Sequence, residues 1–150
     1  MISVRVQTGA FDLGAETRAL SQDRTDIGAI ASFVGLVRGG EIEAMTLEHY
    51  PAMTVKALEA IAAEAARRWP LLGGTVIHRH GRLLPGDPIV LVAIAAAHRG
   101  DAFAACEFVM DYLKTGAPFW KKEETAAESR WVEAKTEDDT ARNRWIQHQA

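Results

Sequence analysis

Residues 75–83 and 88–97 both read as strands, and the short segment between them contains Pro85-Gly86-Asp87. Proline presets one turn dihedral, glycine opens the left-handed region and aspartate bonds back to its own backbone, so this tripeptide turns the chain sharply. Two strands joined this way pair as an antiparallel hairpin. A hairpin inside a chain that also carries long helical patterns breaks strict β-α alternation and favours an α+β domain.

The remaining elements fit that class. Ile2, Val4 and Val6 alternate with polar residues, the period of a half-buried strand. Asp12 is placed to cap a short helix over 13–21. Residues 27–37 are small and β-branched and predict a buried strand that ends at Arg38-Gly39-Gly40, a flexible loop. A strand over 44–50 ends at Pro51, before a helix over 53–69 with Val55, Leu58, Ile61, Ala65 and Trp69 on one face; Pro70 and Gly73-Gly74 close it. Asp101 reads as the cap of a strong helix through about 115, with Phe103, Cys106, Met110 and Leu113 at helical spacing and Gly116 and Pro118 as its stop. Short strands follow at 119–125 and 130–135, and from 138 to 150 the chain is polar, a weak helix or frayed tail. No repeat or linker divides the 150 residues, a length suited to one domain.

Composition removes several classes of function. Apolar residues make up 48% of the chain, enough for a core without disulfide or metal. A single cysteine, Cys106, excludes an internal disulfide and any two-cysteine redox mechanism, and fits a reducing cytosol. The net charge of -3 argues against a nucleic-acid module. That charge is unevenly placed: residues 1–122 hold 13 basic and 13 acidic side chains, and residues 123–150 hold 4 and 7. No apolar run approaches the ~20 residues of a membrane span, and the first five residues lack a signal-peptide pattern, so the expected location is the cytoplasm.

The lysines are the most unusual feature. Of five in the chain, Lys114, Lys121 and Lys122 fall within nine residues that also contain Gly116, Pro118, Phe119 and Trp120. Lys114 lies in the last turn of a predicted helix and Lys121 on the extended segment after a tight reversal, so two ammonium groups can converge on an anion. A lysine in a last turn also complements the helix dipole without further purpose. His98-Arg99-Gly100-Asp101 follows a nearly all-apolar strand and opens a helix, an arrangement suited to phosphate or carboxylate, although His98 and Arg99 equally fit structural and surface roles. His78 and His80 share one face of a predicted strand and could ligate a metal with His98 or His49, but no carboxylate or cysteine stands at confirming spacing. Cys106, among Ala104, Ala105 and Phe108, reads as a small buried hydrophobe. These residues alone leave an anion-binding enzyme, a binding module and a structural domain close to equal.

Several segments taken together resemble one family, the large catalytic subunit of molybdopterin synthase. They are Phe33-Val34-Gly35-Leu36-Val37-Arg38, Leu47-Glu48-His49-Tyr50-Pro51-Ala52-Met53-Thr54, Val76-Ile77-His78-Arg79, Pro85-Gly86-Asp87 and Ala97-His98-Arg99. The most specific runs from Asp111 to Glu123 through Lys114-Thr115-Gly116-Ala117-Pro118-Phe119-Trp120-Lys121-Lys122, followed by Arg130-Trp131-Val132. The resemblance covers about residues 2–145. It implies an α/β-hammerhead fold and an enzyme that inserts two sulfurs into cyclic pyranopterin monophosphate to form the dithiolene of molybdopterin. Sulfur would come from the C-terminal Gly-Gly thiocarboxylate of a small ubiquitin-like carrier subunit, and two large subunits would dimerise within a heterotetramer. No cofactor, metal, nucleic acid or membrane is implied.

Matched position by position, the resemblance makes Lys114 and Lys121 the catalytic lysines, Lys114 beside the thiocarboxylate and Lys121 beside the pterin. It assigns substrate binding to Leu36, Val37, Arg38, His98, Arg99, Lys114, Lys121, Lys122 and Glu123, with Arg38, His98 and Arg99 on the phosphate. Leu36 stands where many relatives would carry a polar or basic residue, and the Gly39-Gly40-Glu41 loop is short. The rival reading is a module that docks a ubiquitin-like tail or a phosphorylated ligand without chemistry.

Overall fold

The computed structural model of the protein describes residues 1–132 and 136–146. In chain order it contains β1 (Ile2–Gln7), α1 (Leu13–Ser21), β2 (Ala29–Leu36), β3 (Ile42–His49), α2 (Pro51–Arg68), β4 (Leu71–Arg79), β5 (Gly81–Leu83), β6 (Pro88–Ala96), α3 (Arg99–Gly116), β7 (Phe119–Thr125), β8 (Ser129–Val132) and α4 (Thr136–Asn143). One sheet has the strand order β1-β4-β6-β2 and the other β5-β3-β7-β8. Among the described residues only β1 and β4 run parallel, and every other strand pair is antiparallel. The α+β class with antiparallel-rich sheets and packed helices is therefore observed.

β6 is central because it can be buried on both sides. Val90, Val92, Ile94 and Ala96 alternate onto the face covered by α2 and α3, where Leu58, Phe108, Val109 and Leu113 close the main core. Leu91 and Ala93 point the other way and join Ile77, Phe11 and Leu20 beneath α1. A continuous apolar run is what such a position demands, since the side-chain period of two sends half of it to each face. A smaller core of Val37, Met45, Leu47 and Leu83 lies under the second sheet, with Ile89 packed against it.

Several local expectations are corrected. The segment expected at 27–37 as a buried strand is β2, an edge strand, with Phe33 and Leu36 exposed. Pro51 does not precede the helix but opens it, at the first helical position where its missing N–H costs nothing. Gly73 and Gly74 lie inside β4, where a Cβ on Gly74 would sit 3.0 Å from the Ala93 carbonyl oxygen; the close strand approach explains that glycine better than a helix stop does. Asp101 sits in the first turn of α3, and the N-cap is His98, whose side chain makes no capping bond. The strand expected at 75–83 is split: Gly81, at φ +91°, redirects the chain so that β4 stays with β6 while β5 crosses to β3 in the other sheet. Of the strand expected at 130–135, β8 supplies residues to Val132, and 133–135 lie outside the described residues. Beyond it, α4 packs on α3, and Trp145 reaches the main core edge-on to Trp69 at 5.8 Å.

Candidate active site

A pocket of about 340 Å³ opens where the two sheets meet the C-terminal end of α3. Arg38 enters it from just beyond β2, Lys114 from the last turn of α3, Lys121 from β7 and Asp138 from α4. Its walls are otherwise largely aliphatic, through Leu47, Ile89, Val90, Leu113 and Val132. Three cations against the one carboxylate of Asp138 leave the pocket net positive over a largely apolar lining, which attracts an anion.

Elementary periodicities place these groups. On α3 the face that buries Val109, Met110 and Leu113 is tied to the sheet, which leaves Lys114 at the rim of the last turn. On β7, Phe119 and Lys121 share one face, and Lys121 stands opposite Leu47 of β3. Lys122 therefore projects from the other face, where its ammonium lies 5.9 Å from the centre of the Trp131 ring. Glu123 is on the Lys121 face but farther along, with Arg130 at 4.0 Å. Val37 is buried at 2% exposure, and its backbone is committed to the turn before β6: its N–H donates to the Asp87 carbonyl at 2.9 Å and its carbonyl accepts from Gly86 at 2.8 Å. Leu36 lines the pocket although its side chain is largely exposed.

His98 and Arg99 do not line this pocket. They are exposed at the N-terminal end of α3, and the fifteen helical steps from Arg99 to Lys114 span about 22 Å along the helix. The structure thus brings together Leu36, Arg38, Lys114 and Lys121 from the expected set, and leaves the side chains of Val37, His98, Arg99, Lys122 and Glu123 outside.

His78 and Phe119 complete the pocket floor. Their rings stack with centroids 3.8 Å apart and planes inclined by 17°. His78 Nδ1 lies 2.8 Å from the Arg79 carbonyl oxygen, and since a carbonyl only accepts, the ring hydrogen resides on Nδ1. Burial pushes this imidazole down to about 4; the Arg79 carbonyl opposes that shift, and the charges of Lys114 and Lys121 and nearby His49 add to it. His49 packs beside His80 with ring centroids 4.4 Å apart and planes tilted by 60°, and burial followed by the His80 charge lowers it too. Its Nδ1 donates to Thr54 Oγ1 at 3.0 Å, whose own hydroxyl donates to the Tyr50 carbonyl. No direct contact joins His78 and His80: β4 ends at Arg79, the His80 ring lies beside His49, and His49 lies 5.6 Å from the Phe119 ring that stacks on His78. Among the described residues no three His, Cys, Asp or Glu side chains converge as a metal site. In the sequence His78 stands out as a candidate metal ligand and within the Val76–Arg79 segment of the family resemblance, and nothing marks Asp138; the Phe119 position within the lysine motif is the signal that a ring stands beside the cations.

Fold and site together define an α+β protein with a cationic, partly apolar pocket built for an anionic ligand. A family model described as MoaE protein matches residues 6–116, which includes Lys114 and stops short of Lys121. The molybdopterin synthase catalytic subunit of Ralstonia nicotianae is 57% identical over 149 residues, covering 97% of this chain and 85% of that protein. Among solved structures, the molybdopterin biosynthesis MoaE protein of Burkholderia ambifaria matches with a TM-score of 0.85 and 61% identity over 97% of this chain and 99% of that one. Molybdopterin synthase of Staphylococcus aureus matches with a TM-score of 0.77 and 30% identity over 85% and 95%. The chain belongs to the MoaE family, the catalytic subunits of molybdopterin synthase.

Proposed function

We propose that this chain transfers sulfur from the C-terminal thiocarboxylate of a small ubiquitin-like carrier to cyclic pyranopterin monophosphate, forming the dithiolene of molybdopterin. The observation that carries this reading is the convergence of Lys114, Lys121 and Arg38 on one pocket from three separate elements. Both partners of the reaction are anionic where they react or are held: a thiocarboxylate on one side, a phosphate on the other. Lys114, at the rim, meets the incoming carrier tail, and Lys121, deeper in the pocket, lies beside the pterin. In each transfer a new carbon–sulfur bond forms on the pterin and an oxygen leaves it, while water attacks the acyl carbon and returns the carrier as a carboxylate. The ammonium groups neutralise the tetrahedral oxyanion and pass protons to the departing oxygen.

His98 and Arg99 fit this reading through the homodimer. Since about 22 Å of helix separates Arg99 from Lys114, the two cannot hold one small substrate from the same chain. In our reading the second large subunit supplies its own α3 N-terminus to the pocket, with one carrier at each end of the heterotetramer.

The test is single-turnover sulfur transfer with thiocarboxylated carrier and cyclic pterin, followed by mass spectrometry of product and spent carrier. Lys114→Ala and Lys121→Ala should each slow transfer roughly 100-fold or more while leaving the melting temperature unchanged. Near-normal rates in both variants, or binding of the carrier without product in the unmodified protein, would leave the non-catalytic docking module as the better account.

A further inference from the structure

His78 is held more tightly than a core histidine needs to be. The Phe119 ring stacks on one side at 3.8 Å and the Arg79 carbonyl takes the Nδ1 hydrogen at 2.8 Å, so both the position and the rotation of the imidazole are set. These contacts leave Nε2 with a lone pair, and among the described residues nothing donates to it. The side chain is only 6% exposed, yet it lines the pocket that holds the two lysines. Nε2 is not sealed in the core, since His78 lines the pocket and can take a donor from it, and packing against Phe119 would be served as well by a phenyl ring.

The groups around it narrow what that acceptor is for. Lys114 faces it from α3, Lys121 from β7 and His49 from β3, while Arg38 and Asp138 line the same pocket from beyond β2 and from α4. Of the two lysines, Lys114 acts more strongly on the ring.

Building on the sulfur-transfer reading, we propose that His78 is a positioning residue for Lys114: with the pocket loaded, its neutral imidazole accepts a hydrogen bond at Nε2 from the Lys114 ammonium and aims it at the carrier's acyl group. A neutral partner suits a lysine that must release a proton. A carboxylate in the same place would form an ion pair and hold the ammonium protonated, whereas an imidazole adds no charge and directs the donor without trapping its proton. Because the ring resists protonation down to about pH 4, it remains an acceptor throughout the neutral range.

Three variants test this in the single-turnover assay across pH. His78→Phe keeps a flat ring on Phe119 and removes the acceptor; transfer should slow roughly tenfold at saturating substrate with KM within about twofold. The lysine limb of its pH–rate profile should move to lower pH, since losing the acceptor and gaining an apolar neighbour both disfavour the ammonium. His78→Gln places an amide oxygen near the Nε2 position and should restore the rate to within about threefold, with the limb back in place. A wild-type rate and unmoved limb in His78→Phe, or equal losses in the Phe and Gln variants, would overturn the proposal. If circular dichroism shows His78→Phe to be unfolded, His78→Asn takes its place with the same expected and overturning outcomes, because its amide N–H can still serve the Arg79 carbonyl but reaches no acceptor to Nε2. Lys114→Ala run in parallel separates the two ideas. A slow Lys114→Ala beside a normal His78→Phe removes only the role of His78, while a normal Lys114→Ala removes the reading of the site on which it rests.

Discussion

The two faces of β7 carry the same residue types to opposite ends. On the pocket face, Phe119 stacks on His78 and Lys121 stands among aliphatic side chains beside Lys114 and Arg38. On the outer face, Trp120 meets Tyr50 edge-on at 4.7 Å, Lys122 lies over Trp131, and Glu124 accepts from Arg82 at 3.0 Å. Two lysines adjacent in sequence are thus separated by the thickness of a sheet. On the pocket face a cation stands beside two others and can stabilise a developing charge; on the outer face its neighbour is a single ring, a contact worth little. What decides the role of a lysine here is the face, and the pleat of the strand decides the face.

The most demanding test of that contrast changes one lysine at a time. Lys121→Ala is expected to lower the single-turnover rate by roughly 100- to 1000-fold, the loss typical of removing one preorganised charge stabiliser. Lys122→Ala should stay within about threefold, since a solvent-facing cation–π contact contributes under about 1 kcal/mol. Comparable losses in the two variants would mean that the outer face of β7 also meets substrate, and the contrast would collapse.

The same separation on a larger scale explains what could and could not be read from sequence. The α3 helix, the β6 strand and the turn at Pro85-Gly86-Asp87 were legible because local periodicity and turn chemistry report burial directly. The split of the 75–83 strand was not, since Gly81 only reveals its left-handed φ once two sheets compete for the chain. Lys114, Lys121 and Arg38 were read as convergent or substrate-binding, and they meet in one pocket because a strand end, a helix end and a second strand were each placed nearly correctly. Lys122 and Glu123 are assigned with Lys121 by the family resemblance; the strand pleat sends Lys122 to the other face of β7 and keeps Glu123 on the Lys121 face, beyond the pocket lining. His98 and Arg99 are assigned to the phosphate by the family resemblance, and about 22 Å of helix separates Arg99 from Lys114, a distance local sequence patterns do not report.

A smaller effect tests the pocket side of that comparison, through the ring that Phe119 stacks on. His78 is buried neutral, and its folded value near 4 lies below the ordinary histidine value. Between those two values the unfolded chain binds a proton that the folded chain refuses, so stability should fall as pH drops from about 6.5 to 4, and should be fully regained above that window. Denaturant melts across that range measure the slope. The slope should shrink in His78→Phe, which has no proton to gain in either state; an unchanged slope would place the acid sensitivity elsewhere. Part-exposed carboxylates such as Glu64 act in the same direction at lower pH: Arg67 and Arg68 hold it down to about 2, and this contribution, discounted for solvent screening, is lost as pH falls from the ordinary carboxylate value toward 2.

The smallest expected change concerns the residue that a sulfur-transfer enzyme would seem to need most. Cys106 is on α3 in the main core, its Sγ 3.7 Å from the Val92 carbonyl oxygen, and burial, with a further push from Glu107, raises its thiol to about 11. A thiol at that value is almost wholly protonated at neutral pH and is a poor nucleophile. It is also walled off from Lys114 by two turns of helix, since Cys106 and Lys114 are eight residues apart. If the transferred sulfur comes entirely from the carrier, Cys106→Ala should keep the single-turnover rate within about twofold and lose only about 1 kcal/mol of stability, the cost of a small cavity. Carrier labelled with heavy sulfur makes the measurement decisive: every sulfur in the product should bear the label in the variant and the unmodified protein alike, and unlabelled product would require a sulfur source inside the chain, for which Cys106 is the one available cysteine.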